Sequence, residues 1–239
     1  MSLVTGLWVY QELGRRPNPE SVAAKAKRHG LRWLTVQALD IERGKLLDRE
    51  WLRDMRRATN RHDLRLGVHG FVGRPAPKPV AEARAMAKAI DIADADFAIV
   101  NAEIQYERSS NPDSKTFVRE YRRLKPDFPS YFSSFGRPSL HPSLDWAAWA
   151  KADFDGMPQA YENLNRRDLK PIMCVRDWAR FFPRTGLRPT LGCFSERNRP
   201  HLPVPRLVQG VRELPGLHVN VYREGTVTNA ELKALSKLE

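Results

Sequence analysis

Residues 95–103 read Ala-Asp-Phe-Ala-Ile-Val-Asn-Ala-Glu, a short apolar run that ends in polar side chains. Its centre, Phe97 to Val100, is rich in aromatic and β-branched residues and too short for a helix, so it predicts a strand. The stretch before it, Pro79–Ala93, is longer and amphipathic, which is typical of a helix. The same alternation of a short apolar run with a longer amphipathic one continues in both directions along the chain.

This alternation predicts eight strands and eight helices in turn. The predicted strands are Leu3–Tyr10, Arg32–Ala38, Leu64–Phe71, Phe97–Glu103, Ser130–Phe135, Gly156–Tyr161, Thr190–Phe194 and His218–Tyr222. The predicted helices are Pro19–His29, Asp48–Arg61, Pro79–Ala93, Ser114–Leu124, Leu144–Lys151, Asp168–Phe181, Val204–Leu214 and Asn229–Leu238. Eight units of roughly thirty residues are what a closed (β/α)8 TIM barrel requires. An open doubly wound sheet is the alternative, but the lack of a GxGxxG turn favours one barrel domain over residues 1–239.

Helix boundaries carry the expected capping residues. Asn18 precedes a proline at the first position of the first helix, a favoured helix start. Gly30 follows that helix, where a C′ glycine belongs. Thr228 or Asn229 can cap the last helix.

Composition narrows the class of protein. Of 239 residues, 41% are hydrophobic, which is enough for one core, and no apolar run approaches the roughly 20 residues that span a bilayer. Without a signal-peptide pattern, the protein is expected to be cytoplasmic, released by lysis or part of a phage virion.

The two cysteines, Cys174 and Cys193, form no metal motif and are expected to be buried thiols, so neither a metal nor a cofactor is predicted.

The charge is strongly basic, at +12 with a pI near 10. Such a surface attracts polyanions: an acidic cell wall, an anionic lipid or a nucleic acid. Because the basic residues are spread over every helix, the charge equally fits a merely solvated surface. Nucleic acid is the least favoured of these partners, and no membrane partner is expected.

Polar residues at the carboxyl ends of barrel strands are the first candidates for chemistry. Strand alternation puts Asn101 and Glu103 on one face, opposite the apolar Val100 and Ala102. The outer face packs under helices, so Asn101 and Glu103 are expected to point into the barrel mouth. A partly desolvated carboxyl group there suits proton donation, although a structural Glu103 held by an arginine is the alternative.

The sixth strand contributes a second inward-facing pair. Gln159 and Tyr161 alternate with Ala160, so an amide and a phenol should project into the mouth that holds Glu103. These groups suit sugar hydroxyls and a sugar face, although Tyr161 as a packing residue at the rim is the alternative. Further residues expected to contact substrate are Trp8, Tyr10, Gln37, His69 and Tyr222. The tryptophans Trp51, Trp146, Trp149 and Trp178 fall in helices and are expected in the core.

The segments Ala95–Glu103 and Met157–Tyr161 resemble the fourth-strand and sixth-strand motifs of glycoside-hydrolase barrels. The likeness is to the family-25 muramidases and the family-18 chitinases, and to related phage and actinobacterial barrels. It implies that Glu103 is the general acid and that Gln159 and Tyr161 position the substrate. Asn101 departs from the pattern, since both families usually carry Asp there. The other candidates for a second carboxylate are Glu196 after the seventh strand, Glu224 and Asp40.

The sequence therefore predicts a glycoside-hydrolase-like barrel that acts on a bacterial cell-wall or related amino-sugar polymer. A phage origin is expected, with Glu103, Tyr161 and Glu196 as the catalytic candidates. The alternative is a barrel without catalysis, which serves as a carbohydrate-binding or structural module of a phage tail or similar particle. A barrel associated with nucleic acid is a third, weaker hypothesis.

Overall fold

A computed structural model describes residues 3–10, 16–39, 46–73, 76–108, 112–164, 167–195 and 201–238. Its centre is a closed barrel of eight parallel strands, each hydrogen-bonded to the next and β8 to β1. The strands are β1 (Val4–Val9), β2 (Trp33–Gln37), β3 (Arg65–Val72), β4 (Phe97–Ala102), β5 (Ser130–Phe135), β6 (Asp155–Ala160), β7 (Thr190–Gly192) and β8 (Val219–Tyr222). The predicted (β/α)8 fold is confirmed, and the open sheet is wrong.

Nine α-helices surround the barrel within the described ranges. They are α1 (Pro19–Arg28), α2 (Arg49–Arg61), α3 (Pro79–Ala93), α4 (Ile104–Arg108), α5 (Pro112–Leu124), α6 (Trp146–Lys151), α7 (Pro171–Trp178), α8 (Val204–Arg212) and α9 (Asn229–Leu235). All eight predicted helices are present, and α4 is an addition. The sixth predicted helix, which is α7 in the structure, begins later than predicted, because Pro171 cannot sit inside a helix and therefore opens it.

Five strands end one or two residues earlier than predicted, namely β1, β2, β4, β6 and β7. The early ends of β4 and β7 bear on the site. β4 stops at Ala102, because the backbone carbonyl of Glu103 already accepts from the amides of Tyr106 and Glu107 and so starts α4. β7 stops at Gly192, and Phe194 leaves the ladder to pack its ring against Tyr161, with 5.4 Å between the centroids. Both early ends place side chains at the mouth instead of in the ladder.

The predicted capping residues are confirmed. The side chain of Asn18 accepts from the Ser21 amide at 3.0 Å. Gly30 has a φ of +68°, which a residue with a Cβ rarely adopts. Thr228 and Glu231 form a reciprocal capping box, so Thr228 is the cap and Asn229 is the first helical residue.

The core lies mainly between barrel and helices. The four helical tryptophans Trp51, Trp146, Trp149 and Trp178 are buried as predicted, and Trp149 stacks on Phe132 of β5 at 4.4 Å. Cys174 and Cys193 are buried free thiols, which confirms their predicted state. A second cluster, made of Trp8, Phe97, Ile99 and Met157, fills the barrel interior. Within the described ranges no helix is long and apolar enough to cross a bilayer.

Candidate active site

The fourth and sixth strands meet at the mouth through one side chain. The amide Nε2 of Gln159 donates to Oδ1 of Asn101 at 3.0 Å and to Oε1 of Glu103 at 2.8 Å. Gln159 is buried, whereas Glu103 is half-buried. Strand alternation therefore brings these three side chains together as predicted. Because the Gln159 amide donates to Oε1 of Glu103, it fixes the orientation of the Glu103 carboxyl group.

The structural alternative for Glu103 is an ion pair with an arginine. Glu103 forms no such pair with any described residue. The side chain that donates a hydrogen bond to it is the neutral amide of Gln159. Its carboxyl group lines an open cavity instead of being enclosed in the protein. The arrangement leaves this group available to a ligand.

Three tyrosine rings lie around Glu103. The ring of Tyr222 is 5.6 Å from that of Tyr10 and 5.4 Å from that of Tyr161, and Tyr10 and Tyr222 are hydrogen-bonded. Burial, the neighbouring Tyr222 phenol and the Glu103 carboxylate all raise the pKa of Tyr10 and of Tyr161 well above the usual value. Both phenols therefore stay protonated near neutral pH and can donate hydrogen bonds.

The mouth opens into a cavity of about 520 Å³. Its walls combine aromatic and aliphatic side chains with a few polar groups, which is typical of a ligand site. Besides Glu103, Gln159, Tyr161 and Tyr222, the lining consists of Phe135, Gly136, Arg137, Leu140, His141, Leu164, Leu169, Phe194, Ser195 and Arg223. The cavity extends from β4 and β6 towards the loop after β5.

Three predicted substrate contacts lie below the surface of the mouth. Trp8 is 1% exposed, His69 2% and Gln37 3%, and none of them lines the cavity. Trp8 packs on His69 with 4.7 Å between the ring centroids, and His69 supports Tyr10 at 5.4 Å. Burial lowers the pKa of His69 to about 3, so its imidazole is neutral. Trp8 and His69 thus form a layer beneath Tyr222 and Tyr10.

The predicted second carboxylates are less well placed. Glu196 and Asp40 lie outside the described residues. Glu224 is held by Lys25 of α1, with 3.0 Å between Nζ and Oε2, and does not line the cavity. Among the described residues, no group of three His, Cys, Asp or Glu side chains is arranged to hold a metal ion.

Several cavity residues were not predicted from the sequence. Arg223 follows β8 directly, so the rule that singles out residues after strands applies to it as well. Phe135 and His141 stack at 3.6 Å, and His141 is hydrogen-bonded to Glu107 at 3.0 Å. His141 lies in the loop after β5, where no sequence pattern marks it as part of the site.

The closed barrel and the position of its mouth define the class of protein: a TIM barrel with a cavity of mixed aromatic, aliphatic and polar lining at the carboxyl ends of its strands. Neither a protein-family model nor a curated protein sequence matches the chain. Solved structures do match it, at identities that establish the fold alone.

Three of these structures illustrate the range of enzymes that share the fold. The spore cortex-lytic enzyme SleL of Bacillus megaterium has a TM-score of 0.66 at 8% identity, over 99% of this chain and 74% of that one. A Pyrococcus furiosus chitinase complexed with chito-oligosaccharides has a TM-score of 0.67 at 11% identity, over 98% and 94%. A 3-deoxy-D-arabino-heptulosonate 7-phosphate synthase from Thermotoga maritima has a TM-score of 0.57 at 14%, over 98% and 84%. The chain thus resembles chitinases and cortex-lytic enzymes in fold, as well as a barrel of different chemistry.

Proposed function

We propose that this protein is a glycoside hydrolase of amino-sugar polymers in which Glu103 is the general acid. One observation carries the proposal: the Glu103 carboxyl group is fixed by Gln159 at 2.8 Å and lines a cavity walled by aromatic rings. The structural likeness to a chitinase and to a cortex-lytic enzyme supports the amino-sugar class. Fold alone does not define chemistry, so the site has to support the assignment.

Hydrolysis of a glycosidic bond needs a proton on the departing oxygen. Protonated Glu103 gives its proton to that oxygen while the bond between this oxygen and the anomeric carbon breaks. In the second half of the reaction, the Glu103 carboxylate takes a proton from the water that adds to the anomeric carbon. Because Gln159 occupies Oε1, Oε2 is the oxygen that faces the substrate in this proposal.

The tyrosines around Glu103 suit a sugar ring. Tyr161 and Tyr222 supply aromatic surface in the cavity, and sugar faces pack on such rings. The protonated phenol of Tyr161 can donate a hydrogen bond to a carbonyl or hydroxyl oxygen of the substrate. We therefore assign Tyr161 to substrate positioning.

The reaction also needs a group that stabilises or attacks the anomeric carbon. Asn101 is an amide, already bonded to Gln159, and cannot act as that nucleophile. The candidates in the proposal are a carboxylate, either Glu196 after β7 or Asp40 after β2, and the acetamido oxygen of the substrate itself. A substrate without the acetamido group would still be cleaved in the first case and not in the second.

The biological setting we propose is a bacterial cell wall attacked by a phage-derived enzyme. The net charge of +12 would concentrate the protein at an anionic wall. Such an enzyme would be carried in the phage particle, released by lysis of the host cell or located in the cytoplasm.

The test measures reducing ends released from chito-oligosaccharides and from purified cell walls. Glu103→Gln keeps the shape and the contact with Gln159 but has no proton to donate, so we expect activity to fall at least a hundredfold. Glu50→Gln, a matched change at an exposed position on α2, should keep full activity. Equal activity of the Glu103→Gln variant and the wild type would refute the role of Glu103.

A carbohydrate-binding barrel without catalysis is the second candidate. Asn101 favours it, as does the fact that Glu103 is the one carboxylate among the described residues that line the cavity. In that case, wild-type protein would release no reducing ends yet would still bind the oligosaccharides.

A further inference from the structure

A histidine in the cavity wall is held firmly in place. The imidazole Nδ1 of His141 lies 3.0 Å from Oε2 of Glu107, and the ring stacks on Phe135 with 3.6 Å between the centroids. The backbone of His141 is held as well, because its amide donates to the Pro138 carbonyl at 2.9 Å and its carbonyl accepts from the Trp146 indole at 2.8 Å. Such a side chain has little freedom left to lose when a ligand binds.

The partner of His141 decides which hydrogen-bonding group the imidazole offers to a ligand. Oε1 of the Glu107 carboxylate accepts from the Ser143 hydroxyl at 3.1 Å, so both oxygens of this carboxylate are engaged as acceptors. Because a carboxylate can only accept, Nδ1 of His141 carries the proton in this pair. The neutral imidazole then has its lone pair on Nε2, which is a hydrogen-bond acceptor.

This second ring nitrogen, Nε2 of His141, makes no hydrogen bond to any residue that the structure describes. The His141 side chain is 26% exposed and lines the cavity that holds Glu103. An acceptor that is fixed in a cavity wall without a protein partner suits a ligand that brings a hydrogen-bond donor. A hydroxyl group, of which every sugar carries several, is such a donor.

The position of this acceptor relative to Glu103 indicates which part of a sugar chain it would meet. Glu107 follows Glu103 by one helical turn, since the Glu107 amide donates to the Glu103 carbonyl at 3.1 Å. One turn advances a helix by about 5.4 Å. His141 and Glu103 are therefore separate contact points along one cavity, which extends towards the loop that carries His141.

We propose that His141 accepts a hydrogen bond from a hydroxyl group of the sugar unit that adjoins the unit at Glu103. This inference rests on the proposed function, since it takes the cavity as the sugar site. It goes further by assigning a second recognition point, through which the protein selects oligosaccharides over single sugars.

The test compares the binding of N-acetylglucosamine and of di-N-acetylchitobiose by calorimetry at about pH 8, where an ordinary imidazole is neutral. All proteins in the test carry Glu103→Gln, so that the disaccharide is not cleaved. In His141→Asn, the new amide can still donate to Glu107, but no group occupies the position of Nε2. We expect the affinity for the disaccharide to fall about tenfold and that for the monosaccharide to fall less than about twofold, since one hydrogen bond is lost.

Two further variants separate the role of Nε2 from general effects. His141→Gln places an amide near the position of Nε2 and should retain part of the affinity for the disaccharide. His62 is also paired with a glutamate, Glu20, but does not line the cavity, so His62→Asn should leave both affinities unchanged. Retained binding of the monosaccharide shows that each variant is folded.

The outcomes for His141 and for the proposed function are distinguishable. Equal weakening of the two sugars in His141→Asn, or no weakening of either, overturns the role of His141 and leaves the hydrolysis test of Glu103 unaffected. A parent protein that binds neither sugar also overturns it. If the wild type releases no reducing ends but His141→Asn selectively loses the disaccharide, catalysis is refuted and the second sugar contact stands.

Discussion

At the scale of single residues, Gln159 links the two strands that build the site. Its Nε2 donates hydrogen bonds to Asn101 of β4 and to Glu103, which follows β4, while its own backbone belongs to β6. An aspartate at position 101 could also accept this bond, but it would add a second negative charge beside Glu103. Asn101 thus provides an acceptor for the Gln159 amide while keeping the site singly charged.

Replacing Gln159 by leucine should separate positioning from binding. Leucine has a similar volume but no donor, so the Glu103 carboxyl group would lose the contact that fixes its direction. We expect kcat to fall by about tenfold to a hundredfold with a smaller change in KM, because small misplacements of a catalytic group cost rate. Steady-state kinetics on the substrate used for the Glu103 test would measure both constants.

The matched control is Gln209→Leu on the exposed side of α8. It should leave both constants unchanged. If Gln159→Leu raised KM and spared kcat, Gln159 would be a binding residue and its contact with Glu103 would be incidental.

At the scale of elements, a buried glutamate joins three segments near the site. Glu82 of α3 accepts from the Gly73 amide just after β3 at 2.7 Å and from the Tyr106 hydroxyl of α4 at 2.6 Å. Burial raises the pKa of Glu82 above its ordinary value, and the bond from Tyr106 opposes that rise. Because Tyr106 lies one helical turn after Glu103, this link also fixes where α4 begins.

Removing the Tyr106 hydroxyl should destabilise the fold. In Tyr106→Phe, the Glu82 side chain would remain buried with one partner fewer, so we expect the free energy of unfolding to drop by about 1–3 kcal/mol. Urea denaturation measures this difference. Tyr131→Phe is the control, because the Tyr131 hydroxyl makes no hydrogen bond within the described ranges, and it should change stability by less than about 0.5 kcal/mol. Equal losses in the two variants would mean that the link contributes nothing.

At the scale of the whole molecule, the barrel interior carries a titratable group. His69 is buried between Trp8 and Tyr10 and has a pKa of about 3. In the unfolded chain, its pKa is about 6.5. Below that pH, His69 is protonated in the unfolded chain but remains neutral in the folded barrel. The free energy of unfolding therefore falls as the pH falls.

The variant His69→Gln should remove this pH dependence. Between pH 6.5 and 4.5, we expect the wild type to lose about 2–3 kcal/mol more of its unfolding free energy than the variant loses. Denaturant titrations of both proteins at the two pH values give this double difference, and other titrating groups cancel in it. If the wild type and the variant lost the same free energy of unfolding between the two pH values, His69 would have the same pKa in the folded barrel as in the unfolded chain.

Much of the architecture could be predicted because its causes are local. Short apolar runs such as Phe97–Val100 and capping residues such as Asn18 and Thr228 act within a few positions of the chain. Alternation also predicted that Asn101, Glu103 and Gln159 share the mouth, since adjacent residues of a strand face opposite sides. Depth along the barrel axis is not local, and Trp8, His69 and Gln37 accordingly lie deeper than predicted.

The sequence by itself therefore determined the eight units, the barrel and the inward direction of Glu103, because periodicity and capping are properties of neighbouring residues. Only the tertiary structure decided which side chains from the two ends of the chain meet at the mouth that holds Glu103. Closing the barrel brings β8 against β1 and so sets Tyr222 and Arg223 beside Tyr10, more than 200 residues away along the chain. Contacts of that kind depend on where the barrel closes, and no local pattern encodes them.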